Sequence, residues 1–230
     1  MATGDATPII TVKRSWERPD TGLLERFRDR PTGNVSDAAG RAGALAPHIK
    51  PVTPERRFLG PALTIDCGRH DNLAFLAALE SVRPGDVMMV ATQDHPGCAV
   101  VGDLLAAFAR NRGAVAIVTD GMVRDVEGLA GIGLPVFAAG IRPSGPTKRG
   151  PGSVGLPVWL GGQRVEPGDL IVGDSDGVVV VPRAMLAQAA EEIEAIAAKE
   201  AVMEADGRDG LPHPRNIEAL LGGVTIQHVD

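Results

Sequence analysis

The chain has no tyrosine and only two tryptophans and five phenylalanines among its 230 residues. Base-stacking surfaces are built from such rings, which argues against a single-stranded nucleic acid partner. Two cysteines, Cys67 and Cys98, are too few for a disulfide framework or for a zinc site with paired-cysteine spacing. Clustered positive charge is missing too: the formal charge is −6, and basic residues come in short pairs such as Arg56-Arg57 and Lys148-Arg149. A surface that tracks a phosphate backbone needs more than that. No apolar run is long enough to cross a bilayer, and the start, MATGDATPIITVKRSW, lacks a basic segment followed by an apolar core. The expectations are no nucleic acid, no membrane and a cytoplasmic location.

What is present fits one α/β domain. Apolar residues make up 44% of the chain, and 29 Gly and 18 Pro are spread along it, which means tight turns rather than a disordered tract. Residues 1–18 read as a loose arm or a strap onto a partner subunit, 19–206 as the domain and 207–230 as a tail. In DTGLLERFRDR, Leu23, Leu24 and Phe27 sit at helical spacing; a second short helix begins near Asn34 or Ser36, with Asn34, Ser36 and Asp37 as cap and first-turn residues. GPALTID (60–66) and PGDVMMVA (84–91) read as strands around a helix over 70–81. LPVFAAG (134–140) is a further strand and 141–155 a long loop. Gly150, Gly152 and Gly155 match GxGxxG, yet no strand precedes them and Pro157 follows, so a dinucleotide loop is not expected. Antiparallel strands then span 157–181 around an Asp174-Ser175-Asp176-Gly177 turn, which lacks the further acids of a calcium loop. The longest helix runs from 183 to 206, and the tail docks through Ile217, Leu220 and Leu221.

The stretch from Gly102 to Glu127 carries the chemistry. A helix over 103–110 stops at Gly113, and the strand 114–119 shows no polar alternation, so both its faces are buried as in a parallel sheet. Asp120, Gly121, Arg124 and Asp125 follow at its C-terminal end, where open α/β sheets bind ligands. Folding back would bring Asp103 to Arg124 and Asp125. One or two carboxylates suffice to hold a hard divalent cation that keeps several waters. A guanidinium offers a planar fork to a carboxylate or a developing enolate. The N–H groups of Leu104 and Leu105, at a helix start, form an anion site. By spacing alone the same residues serve equally as a helix-dipole Asp and a loop ion pair.

The segments GDLL, RGAVAIVTDGMVRD, GLPVFAAG and PGDLIVGDSDGVVVVP, together with VSDAAGRAG, GPALTID and PGDVMMV, resemble the RraA-like proteins and class II pyruvate aldolases over residues 20–200. Asp103, Arg124 and Asp125 match the D-x20-R-D motif of the aldolase branch. The resemblance implies a swivelling-domain-like α/β sandwich with a mixed sheet, assembled as a homotrimer or homohexamer with sites between subunits. It implies that Asp125 ligates Mg2+ (or Mn2+ or another divalent metal), that Asp103 reaches the ion through water, and that Arg124 contacts the pyruvyl half of a 2-oxo acid substrate. Gly102, Leu104 and Leu105 would receive the substrate carboxylate. The implied reaction is retro-aldol cleavage of 4-hydroxy-4-methyl-2-oxoglutarate or 4-carboxy-4-hydroxy-2-oxoadipate, with oxaloacetate decarboxylation as a side activity. A partner chain adds an acid, for which Glu194 and Glu200 are candidates. In DHPGCAVVGD the chain departs from the family pattern, and His95 is either a pocket or a surface residue. The rival implied by the RraA branch is a non-catalytic regulator that binds a ribonuclease.

Overall fold

Uninterrupted apolar runs need cover on both sides, and they form the middle of the structure. This computed structural model describes residues 7–229. After β1 (Ile10–Val12) come α1 (Thr21–Glu25), α2 (Thr32–Ala38) and β2 (Lys50–Pro51). The nine-residue β3 (Phe58–Asp66) leads to α3 (Leu73–Ala78), β4 (Val87–Ala91) and a short β5 (Ala99–Val101). Next are α4 (Asp103–Asn111), β6 (Ala116–Thr119), β7 (Met122–Val123), α5 (Val126–Ile132), β8 (Val136–Ala138) and β9 (Gly140–Ile141). β10 (Gly152–Val154), the β11 (Val158–Leu160) and β12 (Gln163–Val165) hairpin, β13 (Leu170–Gly173) and β14 (Val178–Val181) precede α6 (Leu186–Arg208) and α7 (Ile217–Leu221).

β3, β4, β6 and β8 are parallel neighbours, with Leu63 beside Met88, Met88 beside Ile117 and Ile117 beside Val136. Successive side chains leave on opposite faces. Leu63, Ile65, Met88, Val90 and Ile117 therefore enter one core, against α3, α4 and α5, while Ala62, Val87, Met89, Ala116 and Val118 enter another beneath β11 and β13. Each large side chain fully buried here contributes about 1.5–3 kcal/mol. The sheet is mixed: β10 and β13 both run antiparallel to β3, on its two ends, and β2 runs antiparallel to β8. A third core joins α1, α2 and α6 to β13 and β14.

Several sequence expectations change. Residues 10–12 of the arm pair with β10 of their own chain, and Arg18 Nη2 donates to the buried Asp86 carboxylate at 2.9 Å. This part of the arm is held against its own chain rather than loose; residues 1–6 lie outside the described residues. The 141–155 loop contains β10, and Gly152 and Gly155 serve close approach: a Cβ on Gly152 would stand 2.6 Å from the Asp66 carbonyl, and Gly155 (φ +72°) would strike Trp16. The tail does not dock through its apolar residues, since α7 buries nothing among the described residues and Leu220 is 62% exposed; its contact is polar, with Arg215 donating to both oxygens of Asp206 at 2.8 and 2.7 Å.

Helix α2 begins two residues earlier than expected, so Asn34, Ser36 and Asp37 lie within it rather than at its cap. Pro31 sets the entry, and the capping acceptor comes from a distant turn. The buried Asp174 carboxylate accepts Thr32 N–H at 2.8 Å and Thr32 Oγ1–H at 2.7 Å, and also Asp176 N–H at 2.9 Å. Burial raises the Asp174 carboxyl, but the bonds from Thr32 and Asp176 outweigh it and hold the group below its ordinary value. The clasp is therefore present above the unfolded carboxylate pKa, about 3.9, and is lost as pH falls through the lower folded value. Asp174→Ala is expected to cost about 2–3 kcal/mol in urea unfolding at pH 7, a deficit against wild type that narrows below pH 4.

Candidate active site

Two strands too short to be visible in the sequence put the site together. β5, β7 and β9 form a separate three-stranded parallel sheet, with Val101 beside Val123 and Val123 beside Ile141. Arg124 N–H donates to the Val101 carbonyl at 3.1 Å, which fixes the two chain ends side by side. Gly102-Asp103 leaves the end of β5 and Arg124-Asp125 leaves the end of β7. The twenty intervening residues of the motif are thus one helix, one core strand and the return. The polar cluster sits at the C-terminal ends of parallel strands, though of this small sheet rather than of β6 directly.

A pocket of about 240 Å3 is lined by the six residues to which the family resemblance gives a metal or substrate role: Gly102, Asp103, Leu104, Leu105, Arg124 and Asp125. Arg124 Nε lies 3.2 Å from Asp125 Oδ2, with both side chains a little under half exposed. Asp125 itself is left-handed (φ +58°, ψ +45°) at the start of α5. An L-residue pays about 1–2 kcal/mol for that conformation, and such strain gathers at functional sites. Three glycines clear the space around the triad. A Cβ at Gly102 would stand 2.4 Å from Asp125 Oδ2, one at Gly128 2.4 Å from Asp103 Oδ2, and one at Gly145 3.0 Å from Arg124 Nη1.

Other details differ from the sequence expectation. Leu104 N–H donates to Asp103 Oδ1 at 2.7 Å, so only the Leu105 N–H of the pair is left for a ligand anion in that turn. Asp120 does not join the pocket. It is buried and accepts from Thr92 N–H (2.6 Å), Thr92 Oγ1–H (2.8 Å) and Asp94 N–H (3.1 Å), anchoring the 92–95 loop. Burial raises its carboxyl above the usual range, against the pull of those bonds. His95 does not line the pocket either. Glu194 pairs with Arg26 and Arg30, and Glu200 accepts from Asn34, so neither lines the pocket of its own chain.

Two lining residues carry no clear signal in the sequence. Lys148 adds a second cation to the wall, and the buried Asn72 donates Nδ2–H to the Val100 carbonyl at 2.9 Å while its Oδ1 has no partner among the described residues. In sequence Lys148 is only half of a basic pair, and nothing marks Asn72 beyond a helix start. The backbone that carries Lys148 is fastened by Asp71, whose Oδ2 accepts from Thr147 Oγ1–H, Arg149 N–H and Gly150 N–H.

The structure is a mixed α/β fold with two carboxylates and a guanidinium gathered at parallel strand ends. The chain belongs to the RraA-like family, Aldolase/RraA, whose sequence model matches residues 32–180. It is 35% identical over 161 residues (70% of this chain, 77% of the relative) to a protein of Halalkalibacterium halodurans named "Putative 4-hydroxy-4-methyl-2-oxoglutarate aldolase". Its fold matches an uncharacterized protein from Pseudomonas syringae pv. tomato with a TM-score of 0.72 at 26% identity, over 91% of this chain and 97% of that one. It also matches Streptomyces coelicolor RraAS2, described as an unusual member of the RNase ES inhibitor RraA protein family, with a TM-score of 0.70 at 27% identity, over 83% and 100% of the two chains. Among the described residues, no helix is long and apolar enough to cross a membrane.

Proposed function

We propose that the chain is a divalent-metal-dependent aldolase that cleaves a 4-hydroxy-2-oxo diacid of the 4-hydroxy-4-methyl-2-oxoglutarate type and releases pyruvate. The observation that carries this is the convergence of Asp103, Arg124 and Asp125 on one pocket. The donor set fits the metal: carboxylate oxygens suit Mg2+ or Mn2+, and the space left by Gly102 and Gly128 is filled by the Asp125 and Asp103 oxygens themselves. Asp125 would hold the cation directly and Asp103 through water. When bound, it supplies Lewis-acid polarisation of the 2-oxo group.

The chain's own residues do the rest. Arg124 presents its fork to the pyruvyl oxygens and offsets the negative charge that develops at the C2 oxygen. The Leu105 N–H donates to the neighbouring carboxylate at the helix start, and Lys148 meets the far carboxylate of a diacid. Asp103 would take the 4-hydroxyl proton, directly or through its water. As the C3–C4 bond breaks its electron pair moves towards C2–O, the C4 hydroxyl becomes a carbonyl, and a proton returns to C3. No Schiff-base lysine is required. Oxaloacetate, which loses CO2 to the same enolate, is the expected side substrate.

This chemistry belongs to one domain, 19–206, of swivelling-domain-like architecture. Its sites lie between subunits of a homotrimer or homohexamer, with Glu194 or Glu200 supplied from a partner chain. Exposed Leu104 and Phe108, on the α4 face beside the pocket, are apolar surface suited to that contact. The rival reading, a regulator that binds a ribonuclease, draws on the likeness to the Streptomyces member of the RNase ES inhibitor family; it gives no role to the pocket. Pyruvate release from 4-hydroxy-4-methyl-2-oxoglutarate, assayed with Mg2+ and then with excess chelator, tests the proposal. Release that stops with chelator is expected; no release in either condition would favour the regulator.

A further inference from the structure

Outside the carboxylate pocket, two loops that leave the C-terminal ends of β3 and β4 bring three other ligand-type side chains together. His70, His95 and Cys98 offer one ligand atom each, all within 4.8 Å of one another. His70 Nδ1 and His95 Nε2 are 3.1 Å apart, with their rings edge to face. Two nitrogens each about 2.0–2.1 Å from one tetrahedral ion would stand roughly 3.3 Å apart, close to what is seen. Cys98 is 4% exposed, and His70 closes the cluster from the solvent side.

The surroundings are shaped for this arrangement. A Cβ at Gly97 would lie 2.5 Å from His95 Nε2 and 3.5 Å from His70 Nδ1, so the space between the rings depends on glycine there. His70, Gln93 and Asp94 all adopt positive φ (66°, 58° and 52°), a strained conformation for residues with side chains. Asp120 holds the 92–95 loop in place from below. His95 Nδ1 is buried without a hydrogen-bond partner among the described residues.

We infer that His70, His95 and Cys98 form a second metal site, selective for a borderline or soft divalent cation of the zinc class and distinct from the oxygen-ligand pocket. Imidazole and thiolate donors suit Zn2+ and disfavour Mg2+. Three protein ligands leave a coordination position open. Binding transfers the Cys98 Sγ proton to solvent as the metal–sulfur bond forms. The bound ion would tie the loop after β3 to the loop after β4. Asn72 and Ala99, close to these ligands in the chain, line the carboxylate pocket, so the tie would stiffen its wall.

The test uses full-length protein stripped by chelator and titrated with Co2+ in the presence of excess Mg2+. One equivalent of Co2+ per chain is expected, with a near-ultraviolet sulfur-to-cobalt charge-transfer band that Zn2+ abolishes. Asp125→Asn should keep the band and Cys98→Ser should lose it. The exposed His70→Asn, which does not disturb the core, should weaken Co2+ binding by at least about tenfold. No band in the folded wild type, or a band and affinity unchanged in both Cys98→Ser and His70→Asn, would overturn the site and leave the 3.1 Å contact as an imidazole hydrogen bond. The readout is spectroscopic, so it stands or falls independently of lyase activity.

Discussion

Replacing Arg124 by alanine is expected to lower kcat/KM for a 4-hydroxy-2-oxo diacid by about 10²–10³, the usual loss when a preorganised charge partner of a developing oxyanion is removed. Stability should hardly change. The side chain is 44% exposed and its ion pair with Asp125 is a surface one, worth at most about 1 kcal/mol. The same melting temperature with a collapsed rate would therefore mark a functional role; a parallel fall in both would mark a structural one. Arg124→Lys should recover little, because an ammonium is a point charge and cannot reproduce the bidentate fork.

Gly102→Ala is the second large effect. The backbone there has φ −131°, which alanine adopts without strain, so the fold should tolerate the change. The added Cβ would sit 2.4 Å from Asp125 Oδ2 and 3.2 Å from Arg124 Cγ, distances that force the Asp125 carboxylate and the guanidinium to move. Misplacement of reacting groups by about 1 Å can cost on the order of 10² in rate, and weaker Mg2+ binding should accompany it. Steady-state kinetics against Mg2+ concentration would show this as a raised half-saturation with a lowered kcat. Unchanged kinetics would mean that Asp125 and Arg124 do not act from the positions seen here.

The core strands were legible because a parallel sheet buried on both faces demands unbroken apolar runs, and VMMV and AIVT are such runs. Spacing alone left the triad open between a shared site and a separate helix-dipole Asp and loop ion pair; the family resemblance grouped it, and the structure shows the twenty-residue gap as a single helix–strand excursion. Its true platform was not: β5 and β7, of three and two residues, are too short to show any period. Long-range partners also stayed hidden. Nothing local says that Asp174 caps α2, that Asp120 turns towards Thr92, or that Lys148 and Asn72 reach the pocket, since each depends on which segments the sheet order brings together. The tail misled because Ile217, Leu220 and Leu221 have helical spacing, yet α7 buries none of its residues among those described.

The central claim is that Asp103, Arg124 and Asp125 stabilise the enolate of a pyruvyl unit. Exchange of the pyruvate methyl protons in D2O, followed by proton NMR, reads that step without needing to know the other half of the substrate. The account predicts loss of the methyl signal with protein and Mg2+, arrested by chelator and by Arg124→Ala. A methyl signal that persists with the Mg2+-loaded protein, or exchanges equally fast in Arg124→Ala, would contradict it.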